Sequence, residues 1–355
     1  MKATSREIFE KFQSQGLLTE LVGSGKREIA NVSPAEKFGP EDLVFVEREE
    51  FLEAILSSPA PPAALVISPA FKERLSKERL GRFKDVDLLI ARNVKLALAV
   101  ISADFAPDPR WTEWPSAVHP SAVIHESASL HESVIVGPRV VIGANARIDQ
   151  NTVLKAGVII EHGVRVGKNC VIHPNVVIGY KCEIGSDVII RAGSIIGSEG
   201  FGYAQNEKGE SFPIPQTGKV VIEDRVSVGA NNCIDRATYS ETRIGQGTKL
   251  DNLCHIAHNV RIGRDCLLTA GFVVAGSTKI GDRLIASGQT GVLDHLEITD
   301  DVILLHRAGV IQNIEKPGMY AGLPAEPLPE HLKISALLRK LSDMRKRIQK
   351  LEKKI

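Results

Sequence analysis

Lysine and arginine barely outnumber aspartate and glutamate, 44 to 43, so the chain lacks the basic excess that would suit nucleic acid. Its 355 residues include only five cysteines (Cys170, Cys182, Cys233, Cys254, Cys266), and no two form a C-x-x-C pair. That argues against a structural zinc or a disulfide framework. No apolar run approaches the roughly 20 residues that span a bilayer. The start, "MKATSREIFEKF", lacks the apolar centre of a secretory signal. A cytoplasmic protein with no transmembrane segment is expected. Apolar content is 43%, near the globular average, and the length allows two or three domains.

What the chain does have is a six-residue clock. An aliphatic residue recurs at Val118, Ile124, Leu130, Val136, Ile142 and Ile148, and the rhythm continues in phase through Ile196. It resumes at Ile222, Val228 and Ile234, gains four residues, then runs from Ile244 through Ile280 and on to Val310 with Ala286 as its weak beat. A period of six fits neither a helix nor a long alternating strand. It fits a parallel β-helix in which each hexapeptide gives one short strand and one turn, and three make a triangular coil of 18 residues. Single repeats cannot bury the aliphatic face, so stability must come from stacking. Cys170, Cys182, Cys254 and Cys266 fall on the small position four residues after the aliphatic, which assigns them to the core.

Two breaks interrupt the rhythm: "GSEGFGYAQNEKGESFPIPQTGKV" (197 to 220) and the surplus around "RATYSET" (236 to 242). A long loop on a rigid solenoid is usually functional or disordered, and the aromatics Phe201 and Tyr203 favour function in the first. Residues 1–101 lack the clock. Thr4 with Glu7 resembles a capping box, "LVFV", "AALVIS" and "VDLLIA" read as strands, and "SPAFKERLSKERL" and "NVKLALAVISADF" as helices. This predicts a small α/β domain, then a Pro-rich linker over 102–116, a β-helix over 117–315 and a helical segment over 328–355. In the last, Ile334, Leu337, Leu341, Met344, Ile348, Leu351 and Ile355 alternate three and four apart, a coiled-coil seam. Residues 331 to 355 also carry nine Lys/Arg against two Asp/Glu, either a solvated face or a landing site for an acidic partner.

On an 18-residue coil, positions 18 apart stack on one face, about 4.8 Å from each other. His119, His125 and His131 are six apart and so lie on different faces, as exposed turn residues; His162 and His173 are unpaired. His258 and His295, 37 apart, share an edge, with Gly276 between them, one full coil above His258. A glycine there leaves a backbone N–H uncovered above the imidazole. That supplies a base beside a donor for a developing oxyanion, the geometry of acyl transfer. Asp251, one face earlier, is placed to orient the imidazole through its other ring nitrogen. His255 has no stacked partner by spacing.

"LDNLCHIAHNVRIG", followed by "AGSTKIGD" and "GVLDHLEI", resembles the UDP-3-O-acylglucosamine N-acyltransferases of lipid A biosynthesis, and "GSEGFGYA…IPQTGKVVIEDRVSVGANNCIDRAT" strengthens the likeness. The resemblance is dense over 118–325. It implies a left-handed winding and a homotrimer with active sites between neighbouring prisms, needing no cofactor and no metal. His258 would be the general base, Asp251 its partner, His295 a supporting histidine and Gly276 the oxyanion donor. The acyl group, a 3-hydroxyacyl chain, would come from acyl carrier protein, an acidic partner for the basic tail, and go to a UDP-3-acylated amino sugar. The family often shows F-x-x-N-x-x-Y around the uracil, where this chain has Phe45, Arg48 and Phe51. Arg48 in place of Asn leaves open a diamino-sugar variant of the substrate. Other readings are a coenzyme A-dependent sugar-nucleotide N-acetyltransferase and a β-helix zinc carbonic anhydrase. For the latter, the third ligand falls on Asp300 instead of a histidine.

Overall fold

The computed structural model describes residues 2–74, 85–108, 110, 114, 117–322 and 328–352. The chain divides into two units, Met1–Trp111 and Thr112–Ile355.

The first unit is α/β. Its sheet runs in the order Leu18–Val22, Asp87–Ala91, Ala64–Ile67, Asp42–Val46, Asn31–Ser33, with only the first pair antiparallel. The three apolar runs form its central strands. Being buried on both faces, they are continuous instead of alternating. The capping box is made: Glu7 N donates to Thr4 Oγ1 at 3.3 Å and Thr4 N to Glu7 Oε2 at 2.7 Å, opening the helix Ser5–Gln13. A second cap, Asn93 Oδ1 accepting from Leu96 N, starts the helix Val94–Ile101. Of the helix expected over "SPAFKERLSKERL", Pro69–Arg74 is seen and the rest lies outside the described residues. Most of the expected 102–116 linker also lies outside them.

The second unit is the solenoid. Three parallel sheets of ten, ten and nine short strands run along it, each strand pairing with the one a coil earlier and a coil later. Register is 18 residues throughout the regular coils, as in Val141↔Ile159 and Ile159↔Val177. The second residue of each two-residue strand is the clock residue and points inward. Together with the small position between strands, these residues build a single continuous core, Val134 to Ile314. At about 1.5–3 kcal/mol per buried aliphatic side chain, this column dominates the unit's stability. Cys170, Cys182, Cys254 and Cys266 sit within it, and burial pushes the thiols of Cys170, Cys254 and Cys266 up to about 11. They are inert at neutral pH.

Corners turn through left-handed residues. Asn145, Asn151, Asn169, Asn175 and Asn259 take φ between 55° and 61°, a region that asparagine tolerates better than most residues. The outward first positions differ between sheets. One face carries Ser129, Arg147, Arg165, Glu183, Arg243, Arg261, Lys279 and Glu297. Another carries Val123, Val141, Ile159, Val177, Ile195, Cys233, His255 and Val273, with Val123 63% and Val273 44% exposed.

The two breaks are one structure. Residues 197–218 leave the coil as a loop with a small hairpin, Tyr203–Gln205 against Ser211–Pro213. The loop's return is hydrogen-bonded to the second surplus: Thr217 N donates to Thr238 O, Gly218 N to Ala237 O and Lys219 N to Ser240 O. The last helix, Leu328–Glu352, leaves Leu337, Leu341, Met344, Ile348 and Leu351 roughly half exposed on its seam. Ile355 is outside the described residues.

Candidate active site

His258 stands on the turn that follows the strand His255–Ile256, at the edge of the apolar face. Gly276 is directly over it. A methyl added at Gly276 would lie 2.7 Å from Cε1 and 2.8 Å from Nε2 of the ring, so only glycine leaves the imidazole its place. From the side comes Gly200 of the long loop, where a methyl would lie 2.6 Å from His258 Cβ. The ring is thus held between two glycines from different segments.

At several other corners the first turn amide is capped by a side chain, while those of Ala144, Ala156 and Gly288 have no acceptor among the described residues. Arg264 N donates to Asp282 Oδ1 at 2.7 Å, Asp282 N to Asp300 Oδ1 at 2.8 Å, and Ala230 N to Asn252 Oδ1 at 2.7 Å. At the His258 edge the pattern fails. Gly276 has no side chain to cap His258 N, and the Asp294 carboxylate above is turned to His295 Nδ1 at 2.9 Å. Among the described residues, the N–H of Gly276 has no acceptor. The backbone donor inferred from the clock is present and free.

Asp251 requires a correction. Its Oδ2 accepts from Ala270 N at 3.1 Å and its Oδ1 from Asn252 N at 2.7 Å, so within one chain it caps a turn and does not orient His258. That role falls to Asn259, whose Nδ2 donates to His258 Nδ1 at 3.0 Å. The amide is itself fixed: Oδ1 accepts from Thr238 N at 3.0 Å and Nδ2 also reaches Thr238 Oγ1. Thr238 Oγ1 donates in turn to Oε1 of the buried Gln216, on the loop's return. His295 is on the edge as expected, but exposed and paired with Asp294, and its backbone N donates to Gly276 O.

A carboxylate does stand near the two histidines, and spacing hid it. Asp235 Oδ2 lies 3.7 Å from His255 Nε2, and its Oδ1 accepts from Ser198 Oγ at 2.7 Å. Burial raises its pKa above the ordinary carboxylate value, against the lowering effects of Ser198, His255 and His258. The four surplus residues make His255 pair with Cys233, 22 residues earlier, so an 18-residue count cannot find Asp235.

Phe201 and Tyr203 do meet, ring centroids 5.0 Å apart, with Phe201 83% exposed. Phe45 and Phe51 do not: Phe45 belongs to the core cluster of one sheet face, while Phe51 packs against the cluster of the other. An apo clamp of these two rings is therefore not formed, because Phe45 is only 7% exposed. Arg48 is exposed at the N-cap of the helix Glu49–Ser57. His162, unpaired by spacing, stacks on Tyr180 at 5.2 Å. Among the described residues, no three His, Cys, Asp or Glu side chains converge as a metal site would need, and no helix is long and apolar enough to cross a membrane.

Stacked hexapeptides with a histidine under an uncapped turn amide define a hexapeptide-repeat transferase. The profile described as bacterial transferase hexapeptide (six repeats) matches residues 145–180 and 163–198. Across its whole length the chain is 46% identical to the UDP-3-O-acylglucosamine N-acyltransferase of Methylococcus capsulatus, covering 98% of that protein. It is 39% identical to the protein of the same name from an Anaeromyxobacter species, over 93% of this chain and 91% of that one. With that of Pseudomonas syringae pv. tomato it shares 34% identity over 96% and 94%. The chain belongs to the UDP-3-O-acylglucosamine N-acyltransferase family. In fold it is similar to the Arabidopsis UDP-N-acetylglucosamine acyltransferase, with a TM-score of 0.50 at 22% identity, over 64% of this chain and 79% of that chain.

Proposed function

We propose that this protein moves a 3-hydroxyacyl chain from acyl carrier protein to the 2-amino group of UDP-3-O-acylglucosamine in the cytoplasm. The observation that carries this reading is the free Gly276 N–H above the His258 imidazole. The amine nitrogen attacks the thioester carbonyl, and His258 takes the proton the nitrogen sheds. The tetrahedral oxygen accepts from Gly276 N–H. Collapse breaks the C–S bond, and the imidazolium returns the proton to the departing thiolate, which leaves as the thiol with His258 neutral again. Each part is of a kind that contributes substantially to catalysis: about 10²–10⁴-fold for a positioned base and about 10²–10³-fold for one oxyanion donor.

The ring's tautomer matters here. With Asn259 Nδ2 donating to Nδ1, the neutral ring carries its proton on Nε2. Accepting a proton at Nε2 requires the other tautomer, and a half-turn of the Asn259 amide, which would give up the hydrogen bond from Thr238 N to Oδ1, presents Oδ1 to Nδ1–H. His295, held by Asp294, is suited to the sugar nucleotide or the acyl carrier's phosphate arm.

The apolar outward row that runs past His255 to Val273 supports a homotrimer with the site at its seam. An exposed aliphatic ladder on one face asks for cover, and a heterologous contact that closes in three supplies it. In that assembly Asp251 and the Phe201–Tyr203 pair would face a neighbour, and Phe45, Arg48 and Phe51 would serve the nucleotide only after Phe45 is uncovered. The basic tail supports the acidic carrier protein as partner.

The test is direct. Purified protein is given UDP-3-O-acylglucosamine with acyl carrier proteins bearing a ladder of 3-hydroxyacyl chains, and the product is read by mass. An amide-linked product that fails to form with coenzyme A esters is expected. Turnover with coenzyme A alone, or only with the 3-amino analogue of the sugar, would replace this reading.

A further inference from the structure

The largest fully buried side chain of the protein is charged. Arg236 is 1% exposed, and among the described residues no carboxylate pairs with it. Its guanidinium instead donates to three carbonyls: Nε to Gly197 O at 2.9 Å, Nη1 to Gly218 O at 3.0 Å and Nη2 to Tyr180 O at 3.2 Å. The Tyr180 ring lies under it, 3.4 Å from Cζ to the centroid, and Tyr180 Oη donates to Gln216 O at 3.3 Å. Burying a cation without an anion is unfavourable unless fixed dipoles replace its water. A planar fork that reaches three carbonyls does this; a lysine ammonium is a point and does not.

The positions of those carbonyls give the arrangement its meaning. Gly197 and Gly218 are the two ends of the long loop, and Tyr180 belongs to the coil beneath. Glycines pack the neck closely: a methyl on Gly179 would lie 2.7 Å from Gly197 O and 2.9 Å from Nη2, and one on Gly197 would lie 2.6 Å from Cys182 Sγ and 3.3 Å from Nη2. Beyond this neck, the loop presses Gly200 against His258 and brings Gln216 to Thr238, which holds Asn259.

We propose that Arg236 is a positioning residue: it clips both ends of the loop to the coil, and through Gly200 and Gln216 it holds the His258 imidazole in register with Gly276. This rests on the acyl-transfer reading for its catalytic consequence, while the clip itself can be read without any assay of activity.

The experiment compares wild type with Arg236→Lys and, as an independent disturbance of the same neck, Gly197→Ala. A methyl at position 197 meets φ 89° and lies 2.6 Å from Cys182 Sγ. Hydrogen exchange read by mass spectrometry follows residues 198–217, and turnover is measured per folded molecule, with thermal melting as the check on the prism. In both variants we expect faster exchange confined to the loop and turnover lowered by about tenfold to a hundredfold, the order that misplacing a catalytic group by an ångström costs. The KM for the acyl donor should change less than kcat. If the loop stays protected in folded Arg236→Lys, the clip is refuted whatever the activity does. If the loop loosens while kcat is unchanged, the positioning role is refuted. If wild type itself does not transfer acyl groups, the exchange data still decide the clip, so the two failures are separable.

Discussion

Two edges of the same prism solve the same corner differently. On the edge of Arg264, Asp282 and Asp300, each coil caps the one below it, and charges alternate: Arg264 Nη2 to Asp282 Oδ2 at 3.0 Å, Arg283 Nε to Asp301 Oδ1 at 2.7 Å. On the edge of His258, Gly276 and Asp294, the neighbours do not match, a turn amide is left free, and a loop folds over the gap. The first edge is scaffold and the second the proposed site, yet both stand on φ-positive corners. The difference teaches that a free turn amide gains meaning where a histidine lies beneath it and a loop closes over it.

The contrast can be broken hardest at His258. His258→Ala should lower turnover by about 10²–10⁴-fold while the melting profile stays that of wild type; near-normal turnover would move the base elsewhere. Gly276→Ala should come next. Its N–H is kept, but the methyl displaces the ring, and a loss of about tenfold to a hundredfold is expected, read as a fall in kcat at saturating donor. The equivalent small-residue change on the ladder edge, Gly263→Ala, should act on stability instead of turnover, since its methyl would meet backbone, 2.5 Å from the carbonyl carbon and oxygen of Gly281.

Asn259 offers a finer instrument. Asn259→Leu removes the only side chain among the described residues that is bonded to the ring, and a loss of about fivefold is expected, on the scale of one hydrogen bond of about 1 kcal/mol. Asn259→Asp offers a permanent acceptor for Nδ1–H and should retain more activity than Asn259→Leu. Equal turnover for the two variants would exclude the half-turn of the amide. On the tail, Lys340→Glu with Arg347→Glu should raise the KM for acyl carrier protein several-fold, with kcat kept and the salt dependence flattened.

The smallest effect belongs to the ladder edge and bears on stability alone. Hydrogen bonding, first from Arg264 N–H, holds Asp282 below the ordinary carboxylate range, and the Arg283 hydrogen bond does the same for Asp301. A depressed folded value means the stabilisation is present above the ordinary value, about 3.9, and is lost as pH falls through the folded value. Melting followed from neutral to acid pH should therefore show a smaller acid-induced drop for Asp282→Asn than for wild type, with neutral-pH turnover unaffected.

Much of this was legible because the core repeats by steric necessity. Every sixth residue must be aliphatic for the prism to fill, so the coil, its faces and the stacking of Gly276 over His258 follow from counting. Counting failed where the chain leaves the coil. Asp235, Arg236, Thr238 and Gln216 reach the histidines through two insertions that pair with each other, and no periodicity links residue 216 to residue 238. It failed too at Asp251, since a carboxylate one corner away looks like a catalytic partner until its two acceptor oxygens are seen to be occupied by amides. Phe45 shows a third limit: a motif fixes which residues recur, while the packing of an empty site decides which of them are exposed.

A stack whose layers touch only adjacent layers also loosens layer by layer. Its first rungs are the least covered, with Val118 44% exposed and Ile124 and Leu130 only partly buried, whereas Ile256 and Val274 beside the catalytic edge are fully enclosed. Fraying that begins at the lower end must therefore undo five intervening rungs before His258 feels it. For this enzyme, depth within the column acts as a clock on inactivation: heat or denaturant should peel the entrance coils before the proposed catalytic corner opens.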